Sequence, residues 1–407
     1  MTVLLAVAAA CQADERQPSP ERSGRPAPAA AAGFTLVATG AILPHSSVID
    51  RAAFDAGGAG GAEGTEGTGG VAGVGGAAGA GAAAGGVGGL GGAGGVGYDF
   101  RPMLEGVKPV VSPADLALCH LGTVFGAPGA QPDVKSPPEI ARALAATGYD
   151  GCSTASAHSL DDGAPGVQHT LDALDGAGVR HAGTARTEAE AGAVALLRAG
   201  PARVAQLAYT SDAGGQLLPV GQPWAVRFID AGRVLADARA ARKAGADVVV
   251  VSLHWGTAWQ DTPDERQLAL ARALTASRSD GRPDIDLILG AGAHVPQPYE
   301  KVNGTWVVYG LGDQIAGETT GYQGVQDPRG NQSTVARLTF APPVRPGGRW
   351  EVRKAEFLPQ MFDVDAGRVV DLNKALAAGA GVQGPRDRIR DLVLSRGAVK
   401  DGLVMGE

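Results

Sequence analysis

The chain has 407 residues, 44% of them hydrophobic and 19% charged, which suits one large packed core or two smaller ones and excludes a disordered protein. A formal net charge of −7, with no Lys/Arg cluster to reverse it, excludes a nucleic-acid footprint. Beyond the first dozen residues no apolar run reaches the length of a bilayer span.

In chain order, Met1 to Ala10 is apolar and runs into Cys11, followed by a charged, Pro-rich stretch from Gln12 to Pro28. This looks like the end of a bacterial lipoprotein signal, with Cys11 as the lipidated residue and a tether behind it. It lacks a basic leading region, and a ragged start with no targeting role is the competing reading. The expectation is an exported protein on the extracellular face of the cell membrane, attached only through a lipid on Cys11. The other cysteines, Cys119 and Cys152, lie near predicted strand ends; they pair if those strands are neighbours and otherwise stand as buried free thiols.

Phe34 to Thr39 is the first predicted strand. Residues 56–97 are almost wholly Gly and Ala and hold about a third of the chain's 63 glycines. Such a segment buries too little apolar surface to offset its ordering entropy, so it is expected to be a disordered insertion. An alternating pattern follows. Ala114 to His120 reads as a strand, Pro137 to Thr147 as a helix capped by Ser136, Asp150 to Thr154 as a strand and Gly166 to Ala177 as a helix. Glu188 to Ala199 reads as a helix, Arg203 to Tyr209 as a strand and Ala231 to Ala244 as a helix. Val248 to Leu253 is a strand, Asp264 to Ser277 a helix and Ile285 to Leu289 a strand. After residue 298 the pattern turns to strands, with a hairpin turn at Asn303-Gly304 and a terminal helix near Arg386 to Ser395. The expected architecture is an α/β/β/α sandwich of two sheets. The expected division is a leader and linker over 1–33, one domain over 34–360 and a C-terminal extension over 361–407.

Polar residues fall where these strands end, at Gly40-Ala41, His120-Leu121-Gly122, Ser156-Ala157-His158, His254-Trp255-Gly256 and Ala293-His294. Carboxyl ends of strands are where α/β sheets hold ligands and metals. A lone strand-end histidine is more often structural; four in one alternating pattern make a site the working hypothesis.

In order and spacing, five blocks resemble the CapA family of capsule and poly-γ-glutamate synthesis proteins, which have the calcineurin-like metallophosphatase fold. They are Phe34 to Leu43, Ala114 to Thr123, Gly148 to Gly163 with Gly166 to Leu174, Asp247 to Gly256, and Gly290 to Pro298 with Val307 to Gly312. The last continues as Val307-Val308-Tyr309-Gly310-Leu311-Gly312-Asp313-Gln314, similar to the family's Val-Ile-Tyr-Ser-Leu-Gly-Asn-Phe. The resemblance covers roughly residues 34–320 outside the insertion, and it implies a four-layer metallophosphatase-like sandwich. It also implies a divalent metal (Mn, Zn or Fe) and, as partners, an anionic envelope polymer or the capsule-synthesis machinery.

Carried over residue by residue, the family's ligand pattern is thinned. Its Gly-Asp is Gly40-Ala41 here, its Asn-Leu-Glu is His120-Leu121-Gly122, and its Asn-His is Ala157-His158. Its His-Trp-Gly is kept at His254-Trp255-Gly256, but Ala258 follows where a Glu is expected. Its Gly-His-His-x-His is Gly290-Ala291-Gly292-Ala293-His294. Ala41, Gly122, Ala157 and Gly292 are thus the degenerate ligand positions. Two dications ~3.5–4 Å apart need bridging oxygen ligands to offset their repulsion. The remaining candidate ligands are His254 and His294 with His120 or Asp313, enough for one ion at most. His158 with Asp161 resembles the family's substrate-facing pair, a general acid or a structural pair. The expectation is a weak or inactive relative that keeps the fold; the alternative is an active metal-dependent hydrolase or transferase using a mononuclear histidine site.

Overall fold

The structure is a computed structural model that describes residues 32–59, 97–127, 135–317, 324–345 and 348–407. The expected leader, Cys11 and most of the expected insertion lie outside the described residues. The first residues of that insertion are helical, because the helix Ser46–Ala59, which buries Val48, Ile49 and Ala52, runs into it.

In chain order the strands are β1 (Phe34–Ile42), β2 (Leu116–Leu121), β3 (Gly151–Ser153), β4 (Arg180–Ala182), β5 (Ala195–Ala199), β6 (Ala202–Thr210) and β7 (Val248–His254). A two-strand ribbon follows, β8 (Arg278–Ser279) and β9 (Arg282–Pro283), then β10 (Leu287–Ala291), β11 (Tyr299–Val302), β12 (Thr305–Val308) and β13 (Asp313–Ile315). The last are β14 (Gln332–Ala341), β15 (Glu351–Asp363), β16 (Arg368–Asp371) and β17 (Leu403–Met405). One sheet runs β16-β15-β14-β1-β2-β3-β4, with β13 beside β1 and β17 beside β15; the other runs β11-β12-β10-β7-β6-β5. β16 and β17 both pair with β15, so the segment after residue 360 completes the first sheet.

The two sheets pack face to face, and the period-2 pleat sorts their residues. Leu36, Ala38, Leu116 and Leu118 of the first sheet meet Val204, Val248, Val250, Leu287 and Leu289 of the second. The alternate residues face outward. Val37, Ala117 and Cys119 lie under Ile140, Leu144, Leu171 and Leu174 of the helices Glu139–Thr147 and Gly163–Ala177. Val249 and Val251 lie under Val234, Ala238, Ala271 and Leu274 of the helices Ala231–Lys243 and Glu265–Ala276. Strands buried on both faces have to be apolar throughout, which is why β7 opens with four valines. The result is the four-layer α/β/β/α sandwich expected from the sequence.

Two local readings are corrected. Glu188 to Ala199 is not one helix. A short helix ends at Gly192, and β5 pairs antiparallel with β6, burying Leu197 and Ala199. Ser136 does not cap the next helix, which starts at Glu139; its hydroxyl lies 3.0 Å from that of Thr123. Cys119 and Cys152 stand in register on adjacent strands with Cα atoms 4.5 Å apart and are joined as a disulfide.

At the end of β7 the chain is pinned by Trp255. Its ring is 3% exposed, stacks on Tyr309 and donates from Nε1 to the Tyr309 carbonyl at 2.9 Å. Gly290 makes room for it, since a Cβ there would stand 2.5 Å from Trp255 Nε1. Trp255 therefore packs. Trp255→Ala is expected to cost about 3–5 kcal/mol of stability in urea denaturation, with His254 losing its fixed position.

Candidate functional site

The same pleat that builds the core brings two histidines together. His120 follows Leu116 and Leu118 in parity, and His254 follows Val248 and Val250, so both rings point between the sheets at the strand carboxyl ends. His120 Nε2 lies 3.0 Å from His254 Nδ1, and His120 Nδ1 lies 2.7 Å from Ser153 Oγ. Both histidines are buried, and burial is the largest cause lowering each: His120 falls to about 3, and His254 falls well below its ordinary value. Two buried imidazoles that share a hydrogen bond cannot both carry charge, and here both are neutral.

His294 comes from the turn after β10 and takes φ 62°, a left-handed conformation that a residue with a side chain rarely adopts. Its Nδ1 lies 2.9 Å from Oδ2 of the buried Asp313, and its ring stacks on Trp259 with centroids 5.6 Å apart. The Asp313 charge is the largest cause raising the His294 pKa, against burial. His158 sits in a turn held by Ser156 and Ser159, and its Nδ1 meets Asp161 Oδ2 at 2.7 Å. The charges of His158 and His294 both act on His254, which ties these groups to the buried pair.

Every predicted site histidine therefore belongs to one group, and His45 adds a fifth. It lies in the loop after β1; burial lowers its pKa first, Asp313 opposes, and His294 and His158 lower it further. Its sequence signal is weak, because His45 stands beyond the strand end at Gly40-Ala41, after Leu43-Pro44. Arg186 is taken up by Asp172, Asp175 and Glu190. Asp162 pairs with Lys135 at 2.7 Å.

The positions read as degenerate fall around this group. Ala41 is in register with His120 on one side and Asp313 on the other. Gly122 follows β2, and its N–H donates to the Ile42 carbonyl. Ala157 directly precedes His158. Gly292 takes φ 102°, and a Cβ there would stand 3.1 Å from His254 Nε2, so this position serves a turn and resists a side chain. Ala291, the last residue of β10, is the one in register with His254. Among the described residues no three His, Cys, Asp or Glu side chains are placed to hold one metal ion.

The sequence profile described as "Bacterial capsule synthesis protein PGA_cap" matches residues 35–318, and the chain belongs to that family. A Mycobacterium tuberculosis protein named "Probable polyglutamine synthesis accessory protein" is 30% identical over 220 residues, covering 49% of this chain and 55% of the relative. The "Capsule biosynthesis protein CapA" of Bacillus anthracis is 26% identical over 180 residues, covering 44% of this chain and 42% of the relative. The chain thus spans about half the length of the curated relatives it matches. The calcineurin-like phosphoesterase YfkN of Bacillus subtilis superposes with a TM-score of 0.40 at 14% identity, covering 88% of this chain and 100% of that one.

The histidines titrate in opposite directions. His120 and His254 stay neutral when folded and take a proton when unfolded. The stability this allows is full above a pH of ~6.5 and is lost as pH falls; for His120 the loss runs down to about 3. The His294 contribution is full at low pH and is lost as pH rises through its raised value. Ring NMR titration should find His294 above ~6.5 and His120 and His254 below it. Asp313→Asn should bring His294 down past ~6.5 while leaving His120 in place.

Proposed function

We propose that this is a CapA-type cell-envelope protein, exported and associated with synthesis of an anionic capsule polymer of the poly-γ-glutamate kind. On this reading its metallophosphatase-type site is weak or silent in catalysis. The observation that carries the reading is Ala41. It lies between His120 and Asp313, where a bridging carboxylate would be needed, and it offers a methyl group. The neighbouring side chains bond to one another instead, His120 Nε2 to His254 Nδ1 and His294 Nδ1 to Asp313 Oδ2. Such a donor set does not fit two adjacent dications, whose repulsion calls for bridging oxygens. What the residues can do without a metal is bind. The charges of His158 and His294 act on His45, and carboxylates of an anionic polymer would find imidazole donors among these three, with His158 held by Asp161.

Elemental mass spectrometry after incubation with Mn²⁺, Zn²⁺ and Fe²⁺ is expected to find at most about one ion per chain; two per chain would sink the reading. The variant A41D/G122E/A157N/A291H is expected to gain metal. Ala291 replaces Gly292 in this set because of the turn at 292, and a Cβ at Gly122 meets only Leu43 Cβ at 3.3 Å among nearby atoms tighter than ordinary contact. Failure of that variant to bind, with its fold intact by circular dichroism, would count against the assigned ligand positions.

Export is supported by the joined pair Cys119–Cys152, since disulfides persist in oxidising compartments. Maleimide labelling of the denatured, unreduced protein should miss Cys119 and Cys152, which should label only after reduction. Fatty-acid labelling that survives Cys11→Ala would reject Cys11 as the anchor.

A further inference from the structure

Away from the histidine group, a cavity of about 240 Å³ opens at β4, the edge strand of the first sheet, and is lined by residues of β4, β5 and β6. Its walls carry Arg180, Thr184, Arg186, Glu190, Gln206 and Arg227. Most of these charges are already matched. Arg186 donates to Asp172 and Asp175 at 2.6 Å each and to Glu190 at 2.5 Å. Arg227 pairs with Asp237 at 2.8 Å and donates to the Ala191 carbonyl.

Two groups are not matched. Arg180 stands exposed and forms no side-chain hydrogen bond or ion pair with any described residue. Gln206 is 1% exposed, yet no protein atom hydrogen-bonds its Oε1 or its Nε2. It lies in parity with Val204 on the face of β6 turned to the other sheet, where an apolar residue is the default. The strand opposite makes room for it, since a Cβ at Gly151 would stand 2.8 Å from Gln206 Oε1. A buried amide with neither its donors nor its acceptor used carries its full desolvation cost, and such groups call for an explanation.

We infer that this cavity binds a small ligand carrying an amide beside a carboxylate, such as the end of a peptide or of an amide-linked polycarboxylate. A carboxamide has donors and an acceptor side by side, so its natural complement is another amide. A free guanidinium at the mouth takes a carboxylate in a two-bond fork. Gln206 lines the cavity while its amide atoms are covered, so binding includes a swing of the amide toward the ligand. The site is separate from the histidine group, and its occupancy does not depend on a metal there.

The test is calorimetric titration of the full chain with N-acetylglutamate, for the peptide-end source, and γ-glutamylglutamate, for the polymer source, with glutarate as the carboxylate lacking an amide. Saturable binding of either amide probe is expected, weaker by about tenfold or more for glutarate and about tenfold or more in Arg180→Ala. Gln206→Met should weaken it similarly while holding or raising Tm, because it removes an unmatched buried amide. His158→Ala should leave it unchanged, which separates this site from the proposed envelope function. The inference is overturned if neither probe binds, if glutarate binds as well, or if Gln206→Met keeps full affinity. A lowered Tm in Gln206→Met would also overturn it, by showing the amide already satisfied in the folded protein.

Discussion

The packing of one sheet on the other is the constraint from which the site follows. Each strand alternates its side chains, and the inter-sheet layer takes one parity from β2 and one from β7. His120 and His254 are the last members of those two rows. They meet because Leu116, Leu118, Val248 and Val250 meet. A one-residue slip of either strand would move its histidine to the opposite face of the sheet, away from the partner ring. The packing that fixes register therefore also fixes the distance between the two imidazoles.

That coupling explains why much of the site was legible in the sequence. Apolar runs of strand length ending in a polar residue identify β2, β7 and the turn after β10, and alternation assigns their histidines to one edge. The parts that escaped lack such a run. His45 stands in a loop, three residues beyond the end of β1. Ala195–Ala199 is Ala- and Leu-rich, with good helix propensity, and becomes a strand only because β6 offers an edge to pair with. Gln206 reads as an ordinary polar residue in a strand. Its missing partners, and the glycine opposite that accommodates it, exist only once β3 and β6 face each other across the layer. The turn at Gly292 escapes for a related reason, since a positive φ is a property of the turn and leaves no mark in the residue names.

Electrostatics then divides the group in two. Toward the interior, burial dominates, and His120 and His254 give up charge and bond to each other and to Ser153. At His294 the buried carboxylate of Asp313 dominates, and it stabilises the protonated form of the ring. Asp313 needs that partner, because a carboxylate removed from water is costly unless paired. The left-handed backbone of His294 is the conformation that delivers the ring to it.

The pairing bears directly on metal affinity. A histidine ligates only when deprotonated, so an ion entering the site competes with a proton wherever a neighbour raises the histidine's pKa. At His294 that competitor is strengthened by Asp313. At the buried pair, His120 has both ring nitrogens engaged, by Ser153 and by His254, so an ion taking His120 would have to displace one of those bonds. A carboxylate at position 41 would alter both terms at once, since it would stand between His120 and Asp313 and supply the negative charge that favours a cation over a proton. A methyl group there leaves both competitors in place. On the proposed reading, the loss of one oxygen donor thus weakens the site twice, by removing a ligand and by letting the remaining ligands satisfy one another.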